Sequence, residues 1–436
     1  MAKYFGTDGI RGRFGIELNA PLAFKVAQSL KRVLNVDKLV IGIDTRESST
    51  ELMYACASGA QSIGVDVMLA GVVSTPLISY YSKEKQIAGI MITASHNPYQ
   101  DNGIKVFNRG NKLTEEQELA VEAFVDGNRE FEVEYVGKVF SGEDVIDEYA
   151  NLIESLELPF INLKVGYDSA NGANYMISKG VLDELTAESV QVGNTPDGKN
   201  INEGVGSTHL HSIINLVKEE QCDVGLSFDG DGDRILVVDH DGTVIDGDEL
   251  IYILAVYLKE QGRLKKDTVV LTKMSNLGII KAFERQGISV DVVGVGDKYV
   301  LERIIEKDLS LGGENSGHII LKEFLNTGDG LLVGCYLLKV LEETKKTLKE
   351  LIHDIKMWPQ ELVNIRSFNK EIINDERVVS LVHSIKDKLG DNGKIFVRAS
   401  GTEPLIRVTV SCEKQEDLNR YREQVVGLIN IIKEEV

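Results

Sequence analysis

Long apolar runs are missing from this chain: no segment approaches the ~20 consecutive apolar residues that a bilayer-spanning helix needs. A basic surplus is missing as well. Against 48 Lys and Arg stand 68 Asp and Glu, a formal net charge of -20, and no segment supplies the basic face that nucleic acid or an anionic membrane would require. The balance therefore argues against both as partners. It leaves a small anionic substrate open, because screening over about 8 Å lets local Arg and Lys residues decide what a pocket accepts. The four cysteines, Cys56, Cys222, Cys335 and Cys412, form no Cys-x-x-Cys pair, so neither zinc nor dithiol chemistry is indicated and reduced core thiols are expected. The opening Met1-Ala2-Lys3-Tyr4-Phe5-Gly6 lacks an apolar signal core, and a cytoplasmic location is expected. Low-complexity linkers are absent too, so the domains should pack on one another rather than swing on tethers.

What is present exceeds a single core. A chain of 436 residues, 43% of them hydrophobic, should divide into three or four domains. One pattern recurs three times: a short apolar strand, a Ser- or Asn-containing turn, an amphipathic helix and a second strand. The copies begin at Leu39, Val165 and Val269, and strands alternating with helices of this length are βαβ units. After Trp358-Pro359 the pattern becomes strand, helix, strand, strand, helix, a smaller α+β domain. The fold class expected is α/β: three related α/β domains with mixed sheets and a C-terminal α+β domain around a central cleft. The domains are placed at residues 1–156, 157–252, 253–362 and 363–436.

Asp229-Gly230-Asp231-Gly232-Asp233-Arg234 follows the apolar segment Val224-Gly225-Leu226-Ser227-Phe228. Read as an extended strand end, it points Asp229, Asp231 and Asp233 the same way. Two carboxylates ~4 Å apart repel by roughly 4 kcal/mol at an effective dielectric near 20, so the cluster calls for a cation, and oxygen-only ligands suit Mg²⁺. An EF-hand is excluded, since Arg234 and His240 stand where that loop needs Gly and Glu. A solvated acidic turn with no ligand fits the same residues. Thr93-Ala94-Ser95-His96-Asn97-Pro98 lies at the end of another apolar strand, where α/β sites are built. Ser95 lacks the Gly-x-Ser-x-Gly elbow of serine hydrolases, and His96, adjacent in sequence, is expected to project away from it. A helix-capping turn is the alternative here.

Gly312-Gly313-Glu314-Asn315-Ser316-Gly317-His318 is suited to binding vicinal sugar hydroxyls, with a plain turn as the alternative. Arg398-Ala399-Ser400-Gly401-Thr402-Glu403-Pro404, followed by Arg407, reads as an oxyanion nest for a phosphate monoester, with a surface salt bridge as the alternative. Arg11, in Gly6-Thr7-Asp8-Gly9-Ile10-Arg11-Gly12, and Lys105, behind the turn Asp101-Asn102-Gly103, complete the basic set. The turn should fold Lys105 back over the Ser95 cleft.

In this order along the whole chain, the four loops resemble the α-D-phosphohexomutase family, with features of its amino-sugar branch in residues 5–9, 195–202, 296–300 and Asn315. The resemblance implies a phosphohexomutase, an isomerase in which phosphorylated Ser95 exchanges its phosphoryl group with a hexose monophosphate by way of a bound 1,6-bisphosphate. It implies Mg²⁺ held by Asp229, Asp231, Asp233 and phosphorylated Ser95, and hexose 1,6-bisphosphate as activator and intermediate. It further implies that Lys105 and Arg11 lie beside the transferring group, that Lys105, assisted by His96, moves the sugar hydroxyl proton, that Arg234 steadies the reacting phosphate, and that Glu314 and Ser316 hold sugar hydroxyls with His318 close by. Arg398, Ser400, Gly401, Thr402 and Arg407 would grip the other phosphate. The amino-sugar branch interconverts glucosamine 6-phosphate and glucosamine 1-phosphate on the way to UDP-N-acetylglucosamine; a phosphomannomutase, a phosphoglucomutase or a sugar-phosphate phosphatase are the rivals. A homodimer is also implied. Two departures are mild: Thr93 stands where that branch usually carries Ser, and Lys298 where it usually carries Arg.

Overall fold

The computed structural model describes residues 3–6, 8–127, 135–142, 144–399 and 404–435. They divide into two compact units, residues 1–273 with 291–352, and residues 274–290 with 353–436. Among the described residues no helix is long and apolar enough to cross a membrane, and all four cysteines are buried and free.

In the first unit the strand Lys38–Ile43 runs parallel to Asp66–Val72 on one side and to Ala88–Ile92 on the other. Its residues alternate between two apolar layers, as a strand covered on both faces requires. Leu39, Ile41 and Ile43 join the core under the helices Ala20–Val33 and Ser49–Gln61. A Cβ on Gly42, on the opposite face, would meet Ile78 of the helix Thr75–Glu84. Asp101–Asn108 pairs antiparallel with Ala88–Ile92, and Gly9–Arg13 pairs antiparallel with Asp101–Asn108. The sequence gives no sign of the strand Val139–Ser141, which lies parallel to Asp66–Val72 at the sheet edge.

A second sheet has Ile161–Asp168 between Thr186–Val192 and Val224–Phe228, all parallel, with Ile235–Asp239 antiparallel at the far side of Val224–Phe228. A third sheet contains Thr268–Thr272, Leu311–Gly313 and Ile319–Leu321. Two helices serve it and the second sheet. Gly247–Glu260 is closed by a capping box in which Asp246 accepts from the Glu249 amide and Glu249 accepts from the Asp246 amide, and Gly330–Thr344 is N-capped by Asp329.

The second unit carries a sheet with Leu405–Cys412 between Gln360–Arg366 and Gly393–Ala399, both antiparallel to it. The helices Glu376–Leu389 and Gln415–Glu435 cover it through Val378, Ile385, Leu418, Val425 and Ile429. The helix Leu277–Arg285 belongs to this unit: Asn276 and Trp358 exchange two hydrogen bonds of 2.9 Å, and a Cβ on Gly278 would collide with the Lys356 backbone.

Candidate active site

Ser95 follows the Ala88–Ile92 strand, with its backbone at φ 53°, the left-handed region that costs a non-glycine residue of order 1 kcal/mol or more. That conformation corrects the expectation for His96. The turn brings both side chains to one side, and His96 Nδ1 lies 3.3 Å from Ser95 Oγ. The loop is held by contacts between residues far apart in sequence. Arg46, fully buried and paired with Asp44, donates to the carbonyls of Ser95 and Asn97 at 3.1 and 2.6 Å. Asn202 donates to the same two carbonyls at 2.9 and 3.2 Å. The Ser95 amide donates to Thr93 Oγ1 at 3.0 Å, an acceptor that a serine hydroxyl would equally supply.

Asp229, Asp231 and Asp233 each offer an oxygen within 4.8 Å of the others, and all three are buried. Strand alternation does not bring this about. The strand ends at Phe228, and residues 229–234 form a tight hairpin turn into Ile235–Asp239, with Gly232 at φ 75°. The turn packs against the 171–174 segment so closely that a Cβ on Gly172 would lie 2.7 Å from Gly230 Cα. Ser95 Oγ donates to Asp229 Oδ2 at 2.6 Å, which puts the hydroxyl inside the acidic cluster.

Lys105 enters from the Asp101–Asn108 strand, opposite Met91. Its ammonium lies 2.8 Å from Asp231, 3.0 Å from Asp233 and 2.9 Å from Asp8. Burial favours the neutral amine, but the three carboxylates outweigh it and hold the pKa well above that of a free lysine, so Lys105 is an ammonium. Asp233 shows the reciprocal effect: burial pushes its pKa up, and Lys105, His318 and Arg234 bring it well below the usual carboxylate range. Asp229 lacks such a neighbour at close range. Burial, then Asp231 and Asp233, raise its pKa well above that range, against Arg234 and the Ser95 hydroxyl. Asp231 Oδ1 and Asp233 Oδ1 are buried without hydrogen-bond partners. Two orphaned oxygens beside a third carboxylate and a hydroxyl are a donor set that a hard divalent cation fits. Thr75 completes the anchoring, its hydroxyl donating to Asp231 Oδ2 at 2.5 Å and its amide to the Asp231 carbonyl at 2.9 Å.

Arg11 pairs with Asp8 at 2.6 Å, and Arg234 lies 3.8 Å from Asp233. Burial first, then the positive charges of Arg234 and Arg11, lower the His96 pKa to about 4, so its imidazole is neutral at physiological pH. In the third loop Glu314 Oε1 accepts the Gly296 amide at 3.0 Å, and Ser316 is half-buried. His318 lies 3.7 Å from Asp233 and 3.5 Å from Asp297. Burial lowers its pKa, but the two carboxylates prevail and the net direction is upward. The Gly328 amide, donating to Nε2 at 3.0 Å, favours the tautomer with its hydrogen on Nδ1. Ser95, His96, Lys105, Arg11, Arg234, the three aspartates and His318 thus form one connected cluster in the first unit, and Glu314 adjoins it through the Gly296 amide.

Arg398 and Arg407 occur in the second unit, directly opposite each other where Gly393–Ala399 pairs with Leu405–Cys412. Directly opposite residues project from the same face of a sheet. Ser400, Gly401 and Thr402, between those strands, lie outside the described residues. Residues that the sequence did not single out include Arg46, Thr75 and Lys112, while Asp8, Asn202 and Asp297 lie in segments noted only as amino-sugar-branch features, without these contacts. For Arg46 the available signal was its place just beyond the strand Lys38–Ile43, since strand ends in α/β sheets carry sites.

Comparison with known proteins follows the same order of parts. Family models for phosphoglucomutase/phosphomannomutase match along the chain: alpha/beta/alpha domain I at residues 2–132, domain II at 146–242, domain III at 246–357 and the C-terminal domain at 360–428. A phosphoglucosamine mutase of Bacillus cytotoxicus is 43% identical, with 100% of this chain and 99% of that protein aligned. One of Anoxybacillus flavithermus is 44% identical over 98% of this chain and 99% of its own length. A phosphoglucomutase/phosphomannomutase family protein of Burkholderia thailandensis shares the fold with a TM-score of 0.82 at 22% identity, over 98% of this chain and 97% of that one. An Aspergillus fumigatus N-acetylphosphoglucosamine mutase, solved with GlcNAc-6P and magnesium, shares it at 0.67 and 16% identity, over 100% and 96%. With four family domains in order and full-length relatives above 40% identity, the chain belongs to the phosphoglucosamine mutase family.

Proposed function

We propose that the chain interconverts glucosamine 6-phosphate and glucosamine 1-phosphate, and that Ser95 carries the phosphoryl group between turnovers. The observation that carries this reading is the Ser95 hydroxyl 2.6 Å from Asp229 within a buried carboxylate triad that also holds a lysine ammonium. A hydroxyl placed there is supported by groups that stabilise charge on a phosphoryl oxygen. From phosphorylated Ser95 the phosphoryl group passes to the free 1-hydroxyl of the sugar phosphate. The P–O bond to Oγ breaks as the bond to the sugar oxygen forms, and the sugar hydroxyl proton leaves to a protein base. The 1,6-bisphosphate then reorients and its 6-phosphoryl group returns to Ser95, so no net hydrolysis occurs.

In this reading Lys105, held as an ammonium, neutralises the transferring group rather than accepting the proton. His318, whose imidazole lies between Asp233 and Asp297 at the edge of the acidic cluster, is the base. Arg11 and Arg234 steady the reacting phosphate, with neutral His96 beside Ser95 Oγ. Glu314 and Ser316 take sugar hydroxyls. Arg398 and Arg407, with Ser400, Gly401 and Thr402, hold the phosphate that is not reacting. Mg²⁺ held by Asp229, Asp231, Asp233 and phosphorylated Ser95 would supply charge neutralisation for the transferring group. The proposal also takes the protein as a cytoplasmic homodimer; a one-chain mass by light scattering would remove the dimer.

A phosphorus NMR time course with Mg²⁺ and trace hexose 1,6-bisphosphate tests it, with glucosamine 6-phosphate, mannose 6-phosphate and glucose 6-phosphate in separate tubes. Fastest growth of the 1-phosphate resonance from glucosamine 6-phosphate is expected. Faster turnover of a neutral sugar would reassign the substrate, and free phosphate alone would indicate a phosphatase.

A further inference from the structure

Six charged side chains around the cluster close into a ring of contacts. Asp233 meets Lys105 at 3.0 Å, Lys105 meets Asp8 at 2.9 Å, and Asp8 meets Lys112 at 2.5 Å. Lys112 pairs with Asp297, Asp297 lies 3.5 Å from His318, and His318 lies 3.7 Å from Asp233. The ring draws on five parts of the first unit, among them the turn that carries Asp233 and the loop that carries His318. Asp8 sits in the turn between Phe5–Gly6 and Gly9–Arg13, and Lys105 and Lys112 sit on the two arms of the hairpin formed by Asp101–Asn108 and Asn111–Lys112. Asp297 opens the helix Asp297–Glu306. A contact beside the ring fastens the same hairpin, Asn326 donating to Asn111 Oδ1 at 2.8 Å.

We propose that Lys112 is a positioning residue for this reaction, the cation that fixes Asp8 and Asp297 and through them the ammonium of Lys105 and the imidazole of His318. The inference rests on the mutase reading above. Lys112 touches neither Ser95 nor the triad in the contacts described; it bridges two carboxylates that each hold a reacting group. Without its charge, Asp8 keeps Arg11 and Lys105 while Asp297 keeps His318 alone, and the two carboxylates repel each other with the cation between them gone. Asp8 then draws Lys105 away from Asp231 and Asp233, and Asp297 draws His318 away from Asp233. The mutual compensation of three carboxylates by two ammonium groups and an imidazole is lost at one link, and a shift of about 1 Å in a reacting group is enough to cost rate. Glu314 keeps its own tie to the Gly296 amide, so sugar binding should suffer less than turnover.

The test is steady-state kinetics of wild type, K112M, K112R and K112M/D297N on the sugar phosphate that wild type turns over fastest, with melting temperatures recorded alongside. Expected is a kcat for K112M lower by roughly tenfold, with KM within about threefold of wild type. K112R, which keeps the charge, should recover most of the loss. The double variant, which removes one charge of each sign, should lose less than the product of the two single losses, with D297N measured separately. A K112M kcat within about twofold of wild type would overturn the proposal. So would a loss that K112R fails to rescue and that tracks the melting temperature, which would mark a merely structural lysine. Should K112M fail to accumulate, K112Q takes its place with the same expectations. If wild type prefers a neutral sugar, the substrate assignment falls while the Lys112 comparison proceeds on that sugar.

Discussion

Lys105 is 3% exposed and lies among three carboxylates at 2.8 to 3.0 Å, whereas Arg398 and Arg407 stand opposite each other across an antiparallel ladder, with Arg398 at the surface. In the first case the fold supplies the counter-charges, so the cation is fixed before any substrate arrives and its own pKa rises to match. In the second, two guanidinium-bearing residues are register partners and project from the same face of the sheet. On the proposed function, the first region holds geometry and the second receives the phosphate that is not reacting. The two should therefore fail differently when altered: the first through rate, the second through affinity.

Ser95→Ala breaks the comparison at its most sensitive point and should lower turnover by at least about 10³-fold. The loop itself should survive, because Arg46 and Asn202 grip the Ser95 carbonyl and not its hydroxyl; an unchanged melting temperature beside lost activity checks this. Asp231→Asn should lower kcat on the order of 10²-fold and weaken the magnesium requirement. A magnesium titration that superimposes on wild type would remove Asp231 from the metal site. Arg407→Ala should raise KM for the sugar phosphate by about tenfold while leaving phosphorylation of Ser95 by the bisphosphate nearly intact. Equal loss of both would make Arg407 structural.

The smallest effect concerns Asp329, a buried carboxylate with no ion-pair partner among the described residues. Burial raises its pKa to about 7, against the bonds from the Leu332 amide and from the Tyr149 hydroxyl at 2.8 Å. Because the folded pKa is the higher one, the folded state binds the extra proton, and the stability this contributes is present at low pH and lost as pH rises toward and through 7. Asp329→Asn keeps an acceptor for the helix cap and should flatten the fall in stability between pH 5 and 8, by about 2 kcal/mol. Denaturant midpoints at the two pH values measure it, and equal slopes for both proteins would contradict the assignment.

Local signals in the sequence carried the architecture a long way. The three strand-helix-strand repeats and the C-terminal α+β pattern correspond to observed elements, the first helix of that last pattern being Glu376–Leu389. The edge strand Val139–Ser141 escaped notice because three exposed residues show no alternation and owe their conformation to pairing with Asp66–Val72. Within the site, the chemistry of Asp229, Asp231 and Asp233 was readable from residue type and spacing, although the cause of their convergence is a turn. The same limit explains His96, whose direction depends on a left-handed φ at Ser95 that no side chain announces. Least legible were Arg46 and Lys112, and the contacts made by Asn202 and Asp297. Their roles arise from contacts such as Lys112 with Asp297 and Asn202 with Ser95, which join residues far apart in the chain, and single-sequence periodicity carries no information on such pairs.

The central claim is that Ser95 carries the phosphoryl group, and its most direct test is peptide mass mapping after incubation with hexose 1,6-bisphosphate and Mg²⁺. The account predicts a single phosphoryl group on the peptide containing Ser95, gained from the bisphosphate, lost on addition of excess glucosamine 6-phosphate, and absent in Ser95→Ala. A phosphoryl group on another residue, or full turnover with Ser95 unmodified throughout, would contradict it.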